Sequence, residues 1–150
     1  MAAVALLDVN VLVALFDPDH VHHEVAHDWF TDHRRHGWAT CAVTETGLLR
    51  VVSRPGYGND VHRPADLVPL LRKFCGSTGH HFWEESVSLR DESLFDPALI
   101  RGHAQLTDIY LLGMAKRHKG RLATFDRTIP FAAVKGAKRD LLQVISSPQG

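Results

Sequence analysis

Val4-Ala5-Leu6-Leu7 is an unbroken apolar run that ends in a carboxylate, Asp8, and passes at once into a second apolar segment through Val9, Val11 and Leu12. A strand with no polar position has both faces covered, which is the condition of a parallel sheet held between helices. Asp8 then stands at the strand's carboxyl end. Open α/β sheets take their ligands at that edge, because the strand-to-helix connections splay apart there. The fold and the chemistry therefore turn on which other residues reach the same edge.

The following chain reads as further strand and helix units. A short helical segment through Leu12 and Leu15 should end before Pro18, since proline disfavours helix in the residue ahead of it. Asp19 can cap the next helix, which carries Val25, Ala26, Trp29 and Phe30 on one face and stops near Gly37. Trp38 to Ala42 reads as a second strand, and Val43 to Ser53 as a helix with Glu45, Leu48, Leu49 and Val52 at i, i+3, i+4 and i+7. Arg54 to Asp60, rich in glycine, is a loop. A helix starts at about Pro64, with Leu67, Leu70, Leu71 and Phe74 on one face, and ends at Gly76 to Gly79. His81-Phe82-Trp83 is a third strand, and Ser93 to Ile100 a weak helical signal broken by Pro97. Thr107 can cap a helix running to about His118, on which Asp108, Leu111, Leu112 and Ala115 repeat the Glu45 spacing. Arg121 to Phe125 is a strand ending in Asp126, and Leu141 to Ile145 a last strand.

At 150 residues, 45% of them hydrophobic and 23% charged, the sequence reads as one domain over residues 1–150, with 146–150 a fraying tail. Cys41 and Cys75 are too few for a disulfide framework and have no metal-ligand spacing. No apolar stretch approaches the roughly 20 residues that span a bilayer, and the start lacks the basic region of a signal peptide, so the expected location is the cytoplasm. The net charge of zero hides a gradient: residues 1–33 hold six acids and no Lys or Arg, whereas residues 116–139 hold eight basic residues and one acid. Nucleic-acid binding depends on such local basic patches more than on net charge, although most charge runs are simply solvated faces.

Asp8 and Asp126 end apolar strands, while Glu45 and Asp108 begin helices on the stripes that face the sheet. In a parallel α/β sheet these positions share one edge, so the four acids can meet. Packed together they either hold protons at raised pKa or bind a cation. An all-oxygen donor set points to Mg²⁺ or Mn²⁺, and an ion of that kind supports phosphodiester hydrolysis. Taken singly, each acid is better explained structurally, Glu45 and Asp108 as helix caps and Asp8 and Asp126 as turn residues. Capping alone does not account for all four at one edge.

Leu7-Asp8-Val9-Asn10-Val11-Leu12, Thr44-Glu45, Thr107-Asp108-Ile109-Tyr110-Leu111 and Ala123-Thr124-Phe125-Asp126-Arg127 closely resemble the PIN-domain ribonucleases, and among them the VapC toxins of bacterial toxin–antitoxin pairs. The resemblance spans nearly the whole chain, its D-x-N opening and T-F-D-R ending being the most specific parts. It implies a three-layer α/β/α domain with a central, mainly parallel sheet. It also implies that Asp8, Glu45, Asp108 and Asp126 bind the metal and carry the catalysis, with Asn10 and Thr124 supporting them. The same resemblance implies Mg²⁺ or Mn²⁺, a structured RNA substrate, a homodimer, and a cognate VapB antitoxin whose tail occupies the acidic site.

Other α/β proteins with an acid after the first strand fit less well. A haloacid-dehalogenase phosphatase needs a second Asp where Asn10 stands, and a receiver domain needs a Lys that Thr124-Phe125-Asp126 does not offer. A catalytically silent module that binds RNA or an antitoxin is the alternative from another functional class. Arg127, beside Asp126, and Tyr57, the best exposed aromatic, are the candidates for contact with RNA. The basic run from Lys116 to Arg121 lies roughly 15 Å from the acids along its helix. The eleven histidines, densest at His20, His22, His23 and His80-His81, read more simply as partly buried or surface groups than as acid–base catalysts. Trp29, Phe74 and Trp83 read as core.

Overall fold

The structure, a computed structural model, describes residues 3–146. Among the described residues there are five strands, β1 (Ala5–Leu7), β2 (Trp38–Cys41), β3 (His80–Trp83), β4 (Arg121–Thr124) and β5 (Leu142–Val144). The α-helices are α1 (Val9–Phe16), α2 (His23–His33), α3 (Ala42–Val52), α4 (Pro64–Cys75) and α5 (Leu106–Arg117). The strands form one sheet in the order β3-β2-β1-β4-β5, and every pairing is parallel. The apolar run at the start of the chain is thus the central strand, and all three residues of β1 are buried.

Alternation along the strands divides the core into two layers. Leu6, Ala39 and Leu122 face α5, packing with Ile109, Leu111, Leu112 and Met114. Ala5, Leu7, Trp38 and Ala123 face the opposite way, onto Val11, Leu12, Leu48, Leu67 and Leu71 of α1, α3 and α4. The result is a three-layer α/β/α architecture with the sheet in the middle.

Between β3 and α5 the chain covers the α5 side without forming a further α-helix. Residues 93–100, expected to be weakly helical, contain a single 3₁₀ turn, Pro97–Leu99, which Asp96 caps. The residue that matters there is Phe95, 1% exposed, which packs directly on Gly113 of α5 and forms an antiparallel bridge with Val134. A β-carbon at position 113 would lie 2.3 Å from the Phe95 ring. Alanine there gains about 1 kcal/mol of helix propensity, but overpacking costs about 1–3 kcal/mol. Gly113→Ala should therefore lower the melting temperature measured by circular dichroism; a rise would show that Phe95 moves aside freely.

Two expected caps are replaced. Asp19 does not cap α2: its N–H donates to Asp17 Oδ1 at 3.0 Å in a turn around Pro18, and α2 starts only at His23. Thr107 lies inside α5, because a 3₁₀ turn over His103–Gln105 leads straight into the helix. Ser146 is exposed, and residues 147–150 of the expected tail lie outside the described residues. Among the described residues, no helix is long and apolar enough to cross a membrane.

Candidate active site

The strand order reverses between β1 and β4, the place where an open α/β sheet leaves a crevice at its carboxyl edge. Asp8 leaves β1 there with extended backbone and caps α1, its Oδ1 accepting the Asn10 N–H at 2.6 Å. Its other oxygen, Oδ2, accepts the Thr124 hydroxyl from β4 at 2.5 Å. Both carboxylate oxygens are therefore held, and the residue is only 3% exposed. The Thr124 hydroxyl also accepts the Asp126 N–H at 3.1 Å, so one side chain links the ends of both central strands.

Asp126 lies in the exposed turn after β4, two residues beyond the strand rather than at its end. Its Oδ1 accepts the backbone N–H and the hydroxyl of Thr128, at 2.7 and 2.6 Å. Asp108, half-buried, enters from the first turn of α5. That helix runs against the strands, which brings its N-terminus to the same edge.

The three aspartates act on one another electrostatically. Burial pushes the Asp8 carboxyl above the usual range, and the Asp126 charge adds to this against the hydrogen bonds from Thr124 and Asn10. Burial, followed by the charges of Asp8 and Asp126, pushes the Asp108 carboxyl up to about 6. Mutual repulsion in a sheltered crevice is the condition that a hard cation relieves, and these all-oxygen donors suit a Mg²⁺-class ion.

Comparison with known proteins identifies the family. The model of the PIN domain family matches residues 5–136. The chain belongs to the PIN-domain family, among its VapC ribonucleases. It is 43% identical to Ribonuclease VapC44 of Mycobacterium tuberculosis over 141 residues, 94% of this chain and 99% of that protein. It is 40% identical to Ribonuclease VapC39 of the same organism over 132 residues, 88% of this chain and 95% of that protein. With Ribonuclease VapC38 the identity is 43% over 122 residues, 81% and 84% of the two chains.

In this PIN domain Glu45 has its own surroundings. It is half-buried, and its Oε2 accepts the hydroxyl of buried Thr40 at 2.6 Å. His80 Nε2 lies 2.7 Å from the same hydroxyl, and the Cys75 thiol 4.0 Å from Glu45 Oε2. Burial lowers the His80 pKa and raises that of Cys75, to which the Glu45 charge adds. Thr40 and Trp38 alternate with the α5-facing Ala39 and Cys41, so this group lies on the α1–α4 side of the sheet. The sequence carried little sign of it: Cys75 ends α4, His80 starts β3, and Glu45 is 30 residues before the nearer of the two.

The remaining candidates are distributed as follows. Asn10 is exposed at the first turn of α1, and its backbone, not its side chain, holds Asp8. Arg127 is exposed beside Asp126, on the rim of a cleft of about 460 Å³ that it shares with Phe131, Arg139 and Leu142. Tyr57 is half-buried and donates its hydroxyl to Asp17 Oδ2 at 2.6 Å, beyond the far end of α1 and roughly 12 Å from Asp8 along the helix. Its hydroxyl is pinned, and the residue is half-buried where the glycine-rich loop led to the expectation of an exposed aromatic. The basic run is partly engaged, Lys116 with the Lys135 carbonyl and Arg117 with Asp91 at 3.5 Å. Of the histidines, His23 pairs with the Ala14 carbonyl, His33 with that of Trp29, and His118 stacks on Trp83.

Proposed function

We propose that this chain is the endoribonuclease toxin of a toxin–antitoxin pair, a single PIN unit over residues 1–150 that hydrolyses phosphodiester bonds in structured RNA with a bound Mg²⁺ or Mn²⁺. The observation that carries the reading is the convergence of Asp8, Asp108 and Asp126 at the β1/β4 crevice, in a chain 43% identical to a ribonuclease over nearly its full length. Asp8, Asp108 and Asp126 would hold the ion, with Glu45 as the fourth carboxylate by family resemblance. When bound, such an ion supplies Lewis-acid stabilisation of charge on a phosphoryl oxygen and lowers the pKa of a water.

The chain's own groups do the positioning. The Thr124 hydroxyl and the Asn10 N–H hold the two Asp8 oxygens in one rotamer, so that the carboxylate needs little reorganisation during the reaction. Thr124 also orders the turn that presents Asp126. Arg127, exposed next to that turn, offers a cation to a backbone phosphate of the RNA. The VapB-like antitoxin, the homodimer and the cytoplasmic location follow from the same reading.

The deciding experiment incubates purified protein with total RNA in Mn²⁺ or Mg²⁺, then in EDTA, then with the metal restored. Cleavage should stop in EDTA and return with the ion. Cleavage that continues in EDTA would overturn the mechanism, and RNA binding without cleavage under any ion would favour the silent module. A second expectation concerns Thr124→Val, which is nearly isosteric but can neither donate to Asp8 nor accept from Asp126. It should slow single-turnover cleavage by about 10- to 100-fold, with Thr124→Ser retaining most of the rate. Equal rates in Val and Ser variants would remove the hydroxyl from the mechanism.

A further inference from the structure

Glu45, Cys75 and His80 each offer a ligand atom, and these atoms all lie within 4.8 Å of one another. The three come from separate elements, α3, the last residue of α4 and the first of β3, so the sheet and two helices converge on the group. Each is half-buried, sheltered from bulk water but reachable by an ion. Buried Thr40 stands behind them. With its proton given to Glu45, its oxygen accepts from His80, so one hydroxyl orients two of the three candidate ligands.

The donor chemistry differs from that of the aspartates. One thiolate, one imidazole and one carboxylate make the mixed sulfur, nitrogen and oxygen set that borderline-soft ions prefer, three protein ligands with a fourth position open. Mg²⁺ and Mn²⁺ favour oxygen and gain little from a thiolate. The fold thus holds two donor sets of opposite softness, and Glu45, the fourth carboxylate by family resemblance, is the residue that both would draw on.

We propose that Glu45, Cys75 and His80 bind a transition ion of the zinc class at a site separate from the three aspartates, and that its occupancy keeps Glu45 from the nuclease centre and inhibits it. The inhibitory half rests on the nuclease reading above; the binding half does not.

Cobalt(II) serves as the spectroscopic probe, titrated into full-length protein kept reduced with a phosphine in excess Mg²⁺. The expected result is a thiolate-to-cobalt charge-transfer band that saturates at one ion per chain and disappears in Cys75→Ser. His80→Gln, which keeps a hydrogen-bonding group for Thr40, should weaken cobalt binding by about tenfold or more. In parallel, Zn²⁺ should lower Mg²⁺-supported RNA cleavage by the wild type, while Cys75→Ser cleaves at the wild-type rate and resists Zn²⁺. A missing band, or one that persists in Cys75→Ser because Cys41 is its source, overturns the site. A Cys75-dependent band without loss of cleavage overturns the inhibition. If no RNA is cleaved under any ion while the band behaves as expected, the nuclease reading and with it the inhibition fall, and the binding site stands.

Discussion

Asp8→Asn should lower RNA cleavage by about 10²- to 10³-fold, several kcal/mol of lost transition-state stabilisation, with no loss of melting temperature. The two halves have different origins. An asparagine keeps an oxygen for the Asn10 N–H, and its amide can donate to Thr124 Oγ1, whose proton rotates away, so the cap and the strand-to-strand link survive. The buried negative charge is lost, and that charge is costly to the metal-free fold. Asp8→Ala is the useful contrast. It leaves the Asn10 N–H without its cap and should cost about 1 kcal/mol in addition to activity. Steady-state cleavage and thermal melts on both variants separate the two roles of Asp8. A wild-type rate in Asp8→Asn would reduce the residue to a helix cap.

Asp108→Asn should stabilise the metal-free protein at pH 7.5 and change it little at pH 4. The Asp108 carboxyl is raised from 3.8 to about 6, so the folded state holds the proton more tightly than the unfolded chain does. The associated stability is fully present below about pH 4 and is lost as the pH rises through about 6. At pH 7.5 the wild type carries the ionised Asp108 against Asp8 and Asp126, a repulsion the amide removes. Because Asp108 is half-exposed, solvent screening leaves about 1 kcal/mol, which is about 2–4 °C for a chain of this size. Melts in EDTA at the two pH values measure it, and equal shifts at both would sink the electrostatic account. Adding Mn²⁺ at pH 7.5 should reverse the order, since the wild type then gains ligand stabilisation that the variant has largely lost.

Much of the architecture was legible because its signals are local. The unbroken β1 run and the stripes of α3 and α5 identify elements that need no knowledge of their neighbours. The strand-end position of Asp8 and the helix-start position of Asp108 follow from them, while Asp126 falls two residues past β4 in the turn. The caps of α2 and α5 were misplaced for a related reason. Asp17 outcompetes Asp19 for the turn at Pro18, and the turn at His103–Gln105 begins α5 early, both choices among near-equal local options. The segment from residue 84 to 105 has no periodicity to read, since Phe95 is placed by a gap at Gly113. Around Glu45, the stripe put the residue at the right edge, but its partners Thr40, Cys75 and His80 come from three other parts of the chain. Tyr57 reads as exposed from the sequence because only tertiary structure brings Asp17 to its hydroxyl.

The hydrogen bond from Thr124 to Asp8 joins residues 116 positions apart. Contacts of such long range form late, because a large loop must close before they give any stabilisation. The strand that carries Thr124 sits beside β1 at the centre of the sheet, so neither the sheet nor the crevice can be completed from the first hundred residues. During synthesis, which proceeds from the N-terminus, the link between Asp8 and Thr124 cannot form until β4 has emerged. A chain that lacks β4 can form neither the Thr124–Asp8 link nor the β1/β4 crevice at which Asp8 and Asp126 meet.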